Sequence, residues 1–214
     1  RTRGRMVDVL RKSGIRDERV LAAMLEIPRH LFVEAGIASR AYEDTPLPIG
    51  HGQTISSPTI VALMTQLLLE KGPVAKVLEV GTGSGYQTAL LALCAEAVFT
   101  VERLAPLSQQ ARTILAGLEL RNISFLVGDG SLGWRAFAPF DAIVVAAGSP
   151  EIPAPLLEQL APGGRLVAPV GARDTQVLTF VRRELSGDLH QTTISDVRFV
   201  PLIGQFGHGP NAIP

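Results

Sequence analysis

The stretch LEVGTGSGYQTALLA, residues 78–92, decides the fold. It begins inside a short apolar segment, KVLEV from Lys76 to Val80, that reads as a strand. From Gly85 to Ala95 the residues read as a helix. Between strand and helix stand Gly81, Gly83 and Gly85. Glycine suits a backbone that must turn tightly or let a ligand approach without a Cβ in the way. A helix that opens directly after such a turn presents free N–H groups. The segment is therefore a βα unit whose corner is suited to a ligand.

Outward from that corner the pattern repeats. Val98 to Val101 reads as a strand, Leu107 to Leu118 as a helix and Ile123 to Val127 as a strand. Phe140 to Ala146 (FDAIVVA) is a buried strand, Pro155 to Leu160 a helix and Arg165 to Val170 a strand. Strands alternating with helices imply βαβ units. The expected fold is α/β: a Rossmann-like, doubly wound, mostly parallel sheet. Two further strands, Gln176 to Val181 and Asp196 to Val200, have no helix between them and are expected to form an antiparallel C-terminal edge.

Toward the N-terminus, residues 1–71 read as a helical extension carrying a long loop, and residues 72–214 as the α/β core of the same single domain. Val20, Leu21, Met24 and Leu25 recur at helical spacing behind Asp17, a suitable N-cap. Residues 36–58 are rich in Gly, Pro, Ser and Thr, and a loop of that length in a compact domain is usually functional or disordered. Leu47, Ile49 and Ile55 favour an ordered loop packed on something. A helix follows from Pro58 to Glu70, with Pro58 at its first position and Ser57 suited to the N-cap.

Composition removes several classes. The chain has 214 residues, 46% hydrophobic and 19% charged, which is ordinary for a globular domain and unlike a disordered chain. Formal net charge is zero, against a broad nucleic-acid or membrane footprint. No apolar run is long enough to span a bilayer, no signal peptide is visible, and the cytoplasm is the default location. With one cysteine, Cys94, and no close histidine pair, no metal site is expected.

The corner at Gly81–Gly85 admits competing readings. A dinucleotide fingerprint has the spacing G-x-G-x-x-G, whereas this chain has G-x-G-x-G with Glu79 just before it. A P-loop would end in Gly-Lys-Ser/Thr, which is absent. Ser84 is not centred between the glycines as an esterase elbow requires. A purely structural βα turn needs fewer glycines than the three present. The G-x-G-x-G form resembles the first motif of class I methyltransferases, which would place Gly81, Thr82, Gly83, Ser84 and Gly85 around S-adenosyl-L-methionine, with Glu79 near its methionine part. Glu102 ends the next strand about 20 residues after the first glycine, where an acid takes ribose hydroxyls; dinucleotide enzymes share that feature. Asp129-Gly130 ends the third strand, either beside adenine or as an ordinary turn.

The loop LPIGHGQTISSP, Leu47 to Pro58, resembles the signature loop of the protein-L-isoaspartate O-methyltransferase family, and FDAIVVAAGSPEIP (140–153) and VRFVPL (197–202) resemble that family too. The resemblance implies methyl transfer from S-adenosyl-L-methionine to the carboxylate of isoaspartyl residues in proteins and peptides, leaving S-adenosyl-L-homocysteine. It places Ser56 in the active site, with Thr54 and Ile55 beside it, and Val200, Pro201 and Leu202 as a peptide-binding edge using backbone hydrogen bonds. Ile203 stands where some family members carry a polar residue. In one reading Ser57 caps the helix and Ser56 is free to meet a carboxylate; in the other Ser56 itself is the cap. His51 lies close by, but an isoaspartyl carboxylate is already ionised at neutral pH and needs no base, so His51 is read as a loop residue.

Overall fold

The computed structural model describes residues 2–210. It opens with helices α1 (Thr2–Lys12) and α2 (Glu18–Glu26). Asp17 caps α2 as expected, its carboxylate accepting the Arg19 N–H. Two 3₁₀ turns, Arg29–Phe32 and Ala35–Arg40, lead to a small hairpin of β1 (Leu47–Gly50) and β2 (Gln53–Ile55). The expected loop at 36–58 is thus ordered, and Leu47, Ile49 and Ile55 are buried. Its hairpin escaped the sequence reading because strands of 4 and 3 residues, one holding a proline, leave no alternation to detect.

Then come α3 (Pro58–Leu68), β3 (Val74–Val80), α4 (Tyr86–Cys94), β4 (Ala95–Glu102), α5 (Ala105–Gly117), β5 (Ile123–Val127), β6 (Phe140–Val145), α6 (Ala154–Glu158), β7 (Leu160–Gly171), β8 (Gln176–Arg183) and β9 (Leu189–Val197). The main sheet has the order β5-β4-β3-β6-β7-β8-β9. Strands β3 to β7 run parallel, while β8 and β9 form the antiparallel edge. The last strand lies earlier than the expected Asp196 to Val200. A tight turn, with Glu184 N–H to Asp188 C=O at 2.8 Å, starts it at Leu189. All of β9 but Val197 is exposed, so it lacks the polar–apolar alternation that would reveal a strand. Phe199 has left the sheet and donates its N–H to the Gln176 side chain at 2.8 Å.

Side chains alternate across each central strand. Val77 joins a cluster on one face with buried residues of α1 to α5, whereas Leu78 and Val80 join a cluster on the other with Leu156 of α6. The chain steps outward from β3 to β4 to β5, then returns to β6 on the opposite side of β3. That reversal opens a crevice beyond the carboxyl ends of β3 and β6, where such sheets bind ligands.

The start of α3 departs from the sequence reading in one respect. Ser57 occupies the N-cap position, but its side chain makes no capping bond. Asp44, 15 residues before Thr59, takes over: its carboxylate accepts the Thr59 N–H at 2.9 Å and the Thr59 hydroxyl at 2.6 Å. An ionised acceptor at a helix N-terminus is favoured over a neutral hydroxyl by the helix dipole. The Asp44→Ala variant should therefore lose about 1 kcal/mol of stability in denaturant unfolding, and Ser57→Ala only a few tenths. Equal losses would place the cap on Ser57 instead.

Candidate functional site

A cleft open to solvent, with about 820 Å³ of space between and in front of its walls, occupies the crevice. Its wall collects Gly81 to Ser84 after β3, Glu102 to Leu104 after β4, Gly130 after β5, Ala146 and Ala147 after β6, Gln53 to Ser56, and Val200 to Ile203.

The glycine turn is pinned to the end of β4. Gly81 N–H donates to Val101 C=O at 2.8 Å, and Gly83 N–H to Glu102 Oε1 at 2.9 Å. The other oxygen of Glu102 accepts the Leu104 N–H at 2.8 Å. Each carboxylate oxygen has two acceptor sites. One per oxygen is used, so the Glu102 carboxylate, which lines the cleft, keeps capacity for two hydroxyl donors. Gly85 is needed twice: its φ is +89°, and a Cβ would lie 3.0 Å from the Ala111 Cβ of α5. Gly130 is needed for space, because a Cβ there would overlap the Val80 side chain.

Two acidic residues of the sequence reading lie off the cleft wall. Glu79 is fully buried beneath the turn. Its Oε1 accepts the hydroxyls of Thr88 and Thr100, the latter at 2.7 Å, and its Oε2 has no partner among the described residues. Burial pushes its carboxyl up to about 7, against the opposing pull of the two threonine hydroxyls. Asp129 spends its carboxylate on Ser131 and on the Gln205 N–H, while its neighbour Gly130 lines the cleft.

On the opposite wall stand Thr54, Ile55 and Ser56. Ser56 is held from behind by Arg29, which no motif of the sequence points to. Arg29 is completely buried, donates to Ser56 C=O at 2.9 Å and to Ala41 C=O at 2.6 Å, and stacks 4.8 Å from the Tyr86 ring centroid. Its two hydrogen bonds tie down both ends of segment 41–56. Because Asp44 caps α3, the hydroxyls of Ser56 and Ser57 are both free of capping duty, and the elimination that singled out Ser56 loses its premise. Ser56 is distinguished by position: it lines the cleft and Ser57 does not. His51 sits at the hairpin tip with φ +56°, exposed and off the cleft wall.

The 200–202 segment is less open than a free edge. Val200 C=O accepts the Gly148 N–H at 2.8 Å, Leu202 N–H donates to Gly148 C=O at 2.7 Å, and Leu202 C=O accepts the His208 N–H at 2.7 Å. Among the described residues the Val200 N–H and the Pro201 carbonyl are left for a peptide, and the Leu202 N–H is not. Pro201 brings no N–H of its own. Gln87 and Tyr86 also contribute to the cleft, from a helix that the sequence marked only as apolar. Among the described residues there is no cluster of three or more His, Cys, Asp or Glu side chains able to hold a metal, and no helix long and apolar enough to cross a membrane.

The profile of the family described as protein-L-isoaspartate(D-aspartate) O-methyltransferase matches residues 1–207. A protein-L-isoaspartate O-methyltransferase of Hahella chejuensis is 53% identical over 204 residues, covering 95% of this chain and 96% of that one. Its counterpart in Geobacter metallireducens is 51% identical over 208 residues, covering 97% and 96%. A solved protein-L-isoaspartate O-methyltransferase superposes with a TM-score of 0.85 at 29% identity, over 96% of this chain and 67% of that one. A Plasmodium falciparum structure described as a protein of that name in complex with S-adenosyl-L-homocysteine has a TM-score of 0.80 at 28% identity, over 92% of this chain and 96% of that one.

The buried Glu79 has a pH signature. Its folded pKa is raised, so the protonated form stabilises the fold fully below the unfolded value of 4.5, and that contribution is lost as pH rises toward about 7. In denaturant titrations Glu79→Gln should match the parent near pH 4.5 and gain on it steadily up to about pH 7. A stability difference independent of pH over that window would rule this out.

Proposed function

The chain belongs to the protein-L-isoaspartate(D-aspartate) O-methyltransferase family, and on that premise we propose how its cleft divides the work of the reaction. The enzyme transfers a methyl group from S-adenosyl-L-methionine to the free carboxylate of L-isoaspartyl and D-aspartyl residues in damaged proteins, which initiates their repair, and leaves S-adenosyl-L-homocysteine. The relatives do not favour the nicotinamide-dependent reading, or one with a small-molecule or RNA acceptor. From the zero net charge we infer that neither nucleic acid nor a membrane surface is a partner, and from a repair activity on damaged proteins we infer a cytoplasmic location.

The observation that carries the reading is a single cleft walled on one side by the Glu102-braced glycine turn and on the other by Thr54-Ile55-Ser56. Residues of the first wall fit the cofactor. Glu102 retains acceptors for a pair of ribose hydroxyls, Gly81, Thr82, Gly83 and Ser84 bring the backbone of the turn to the cleft, and Gly130 lines it where the base would lie; Gly85 stands off the cleft wall, packed on α5, and shapes the turn. Glu79 supports that turn from below through Thr88 and Thr100. When bound, S-adenosyl-L-methionine supplies a methyl group made electrophilic by its sulfonium.

The second wall serves the substrate. The Ser56 hydroxyl donates to the isoaspartyl carboxylate and orients it; Arg29 keeps Ser56 in place through its carbonyl. The Pro201 carbonyl receives a peptide N–H. An isoaspartyl carboxylate, with a pKa of about 4, is already ionised, so no residue has to remove a proton, in keeping with the absence of His51 from the cleft wall. Apolar Ile55, Val61, Ala146, Leu202 and Ile203 keep water away. The reactants' opposite charges cancel as they combine, which a dry site favours, and alignment supplies the rest of the rate.

With labelled cofactor, a peptide containing isoaspartate should be methylated and its normal aspartyl twin left untouched; label in neither would reject the assignment. Ser56→Ala should lower kcat/KM by about tenfold to a hundredfold, the cost of one charge-assisted hydrogen bond. S-adenosylhomocysteine affinity should stay within about twofold. Unchanged turnover would show that Ser56 is dispensable.

A further inference from the structure

We propose that Asp129 and Ser131 are positioning residues that fasten the substrate edge to the cofactor floor, so that Asp129 governs peptide binding and not cofactor binding. The proposal rests on the cleft assignment above. After Leu202 the chain makes a tight turn, with Gly207 N–H to Gly204 C=O at 3.2 Å and His208 N–H returning to Leu202 C=O at 2.7 Å. The outer side of that turn lands on the loop after β5. Gln205 N–H donates to Asp129 Oδ2 at 2.8 Å, and Phe206 N–H to Ser131 Oγ at 3.1 Å. Asp129 Oδ1 accepts both the N–H and the hydroxyl of Ser131, at 2.9 and 2.6 Å.

The direction of these bonds is fixed. The Ser131 hydroxyl proton goes to Asp129, which leaves the oxygen lone pairs to receive the Phe206 N–H. Ser131 is completely buried, so its bonds lie out of water, where an ionised acceptor binds strongly, whereas the Gln205 bond to the half-buried Asp129 lies at the exposed edge of the network. Contact is close enough to exclude a side chain at position 204, where a Cβ would overlap the Asp129 carboxylate. Between the two clasp residues lies Gly130, whose backbone lines the cleft, while Asp129 itself is absent from its wall. One short loop thus presents backbone to the cofactor and side chains to the segment that holds Pro201 and Leu202 in place. From sequence alone Asp129 reads either as a neighbour of the adenine or as part of an ordinary turn; the geometry assigns it to the other substrate.

The test is steady-state kinetics with an isoaspartyl peptide, alongside calorimetry with S-adenosylhomocysteine, on Asp129→Ala, Ser131→Ala, Gly204→Ala and the Asp129→Ala/Gly204→Ala pair. Each single change should raise peptide KM about tenfold, with kcat and S-adenosylhomocysteine affinity within about threefold of the parent. The pair should do no more than the worse single change, because both break one contact. Gly204→Ala and Ser131→Ala carry the test if Asp129→Ala does not fold. Weaker S-adenosylhomocysteine binding with an unchanged peptide KM would overturn the proposal, as would additive effects in the pair. If the parent enzyme fails to methylate the peptide, it is the functional reading that falls. The clasp is then judged by hydrogen exchange: the amides of Gln205 and Phe206 should exchange faster in Ser131→Ala, and unchanged protection would overturn it.

Discussion

The Glu102 carboxylate accepts the Gly83 N–H at 2.9 Å and the Leu104 N–H at 2.8 Å, and the rest of the site is arranged around that pair of bonds. Gly83 belongs to the turn that follows the central strand β3, and Leu104 to the chain leaving β4. Bridging them holds open a corner that three glycines make possible and that only a buried acceptor at the end of β4 can keep in shape, since backbone N–H groups in such a turn would otherwise lie unpaired beside a dry cleft. The same carboxylate faces the cleft. In the proposed reading, structural support and ligand recognition therefore fall on one residue.

Around that brace the protein keeps two ionisable groups in its interior at some cost. Among the described residues, Arg29 is completely buried with no salt bridge of its own, and Glu79 has one oxygen unpaired. Both sit one layer behind the cleft, under the serine wall and under the glycine turn respectively. Burying polar groups with incomplete pairing is unfavourable, and it persists where the geometry it determines is needed. Here Arg29 ties the two ends of the segment that bears Ser56, and Glu79 gathers Thr88 and Thr100 beneath the turn. The hydrogen bonds of Asp129 and Ser131 to the 205–206 turn likewise hold the segment that carries Pro201 and Leu202.

Much of this was legible before any coordinates. Central strands buried on both faces show as apolar runs such as FDAIVVA, and the glycine turn has a spacing of its own, so the parallel sheet and its corner were readable. Residue types at the cleft, from Gly81 to Ser84 with Glu102, followed from local motifs, and Ser56 from the family resemblance. What was not legible depends on contacts between residues far apart in the chain. Asp44 displaces Ser57 as the cap of α3, Arg29 reaches Ser56 across 27 positions, and Gln205 finds Asp129 across 76. The exposed strand β9 and the short hairpin at Leu47–Ile55 failed for a different reason: neither has a one-sided apolar pattern long enough to show its period.

The most direct check on the account is a crystal structure of the enzyme with S-adenosylhomocysteine and an isoaspartyl peptide together. The account predicts the ribose hydroxyls on Glu102, the base over Gly130, and the isoaspartyl carboxylate hydrogen-bonded to Ser56, all in the one cleft. A ribose placed away from Glu102, or a carboxylate seated away from Ser56, would contradict it.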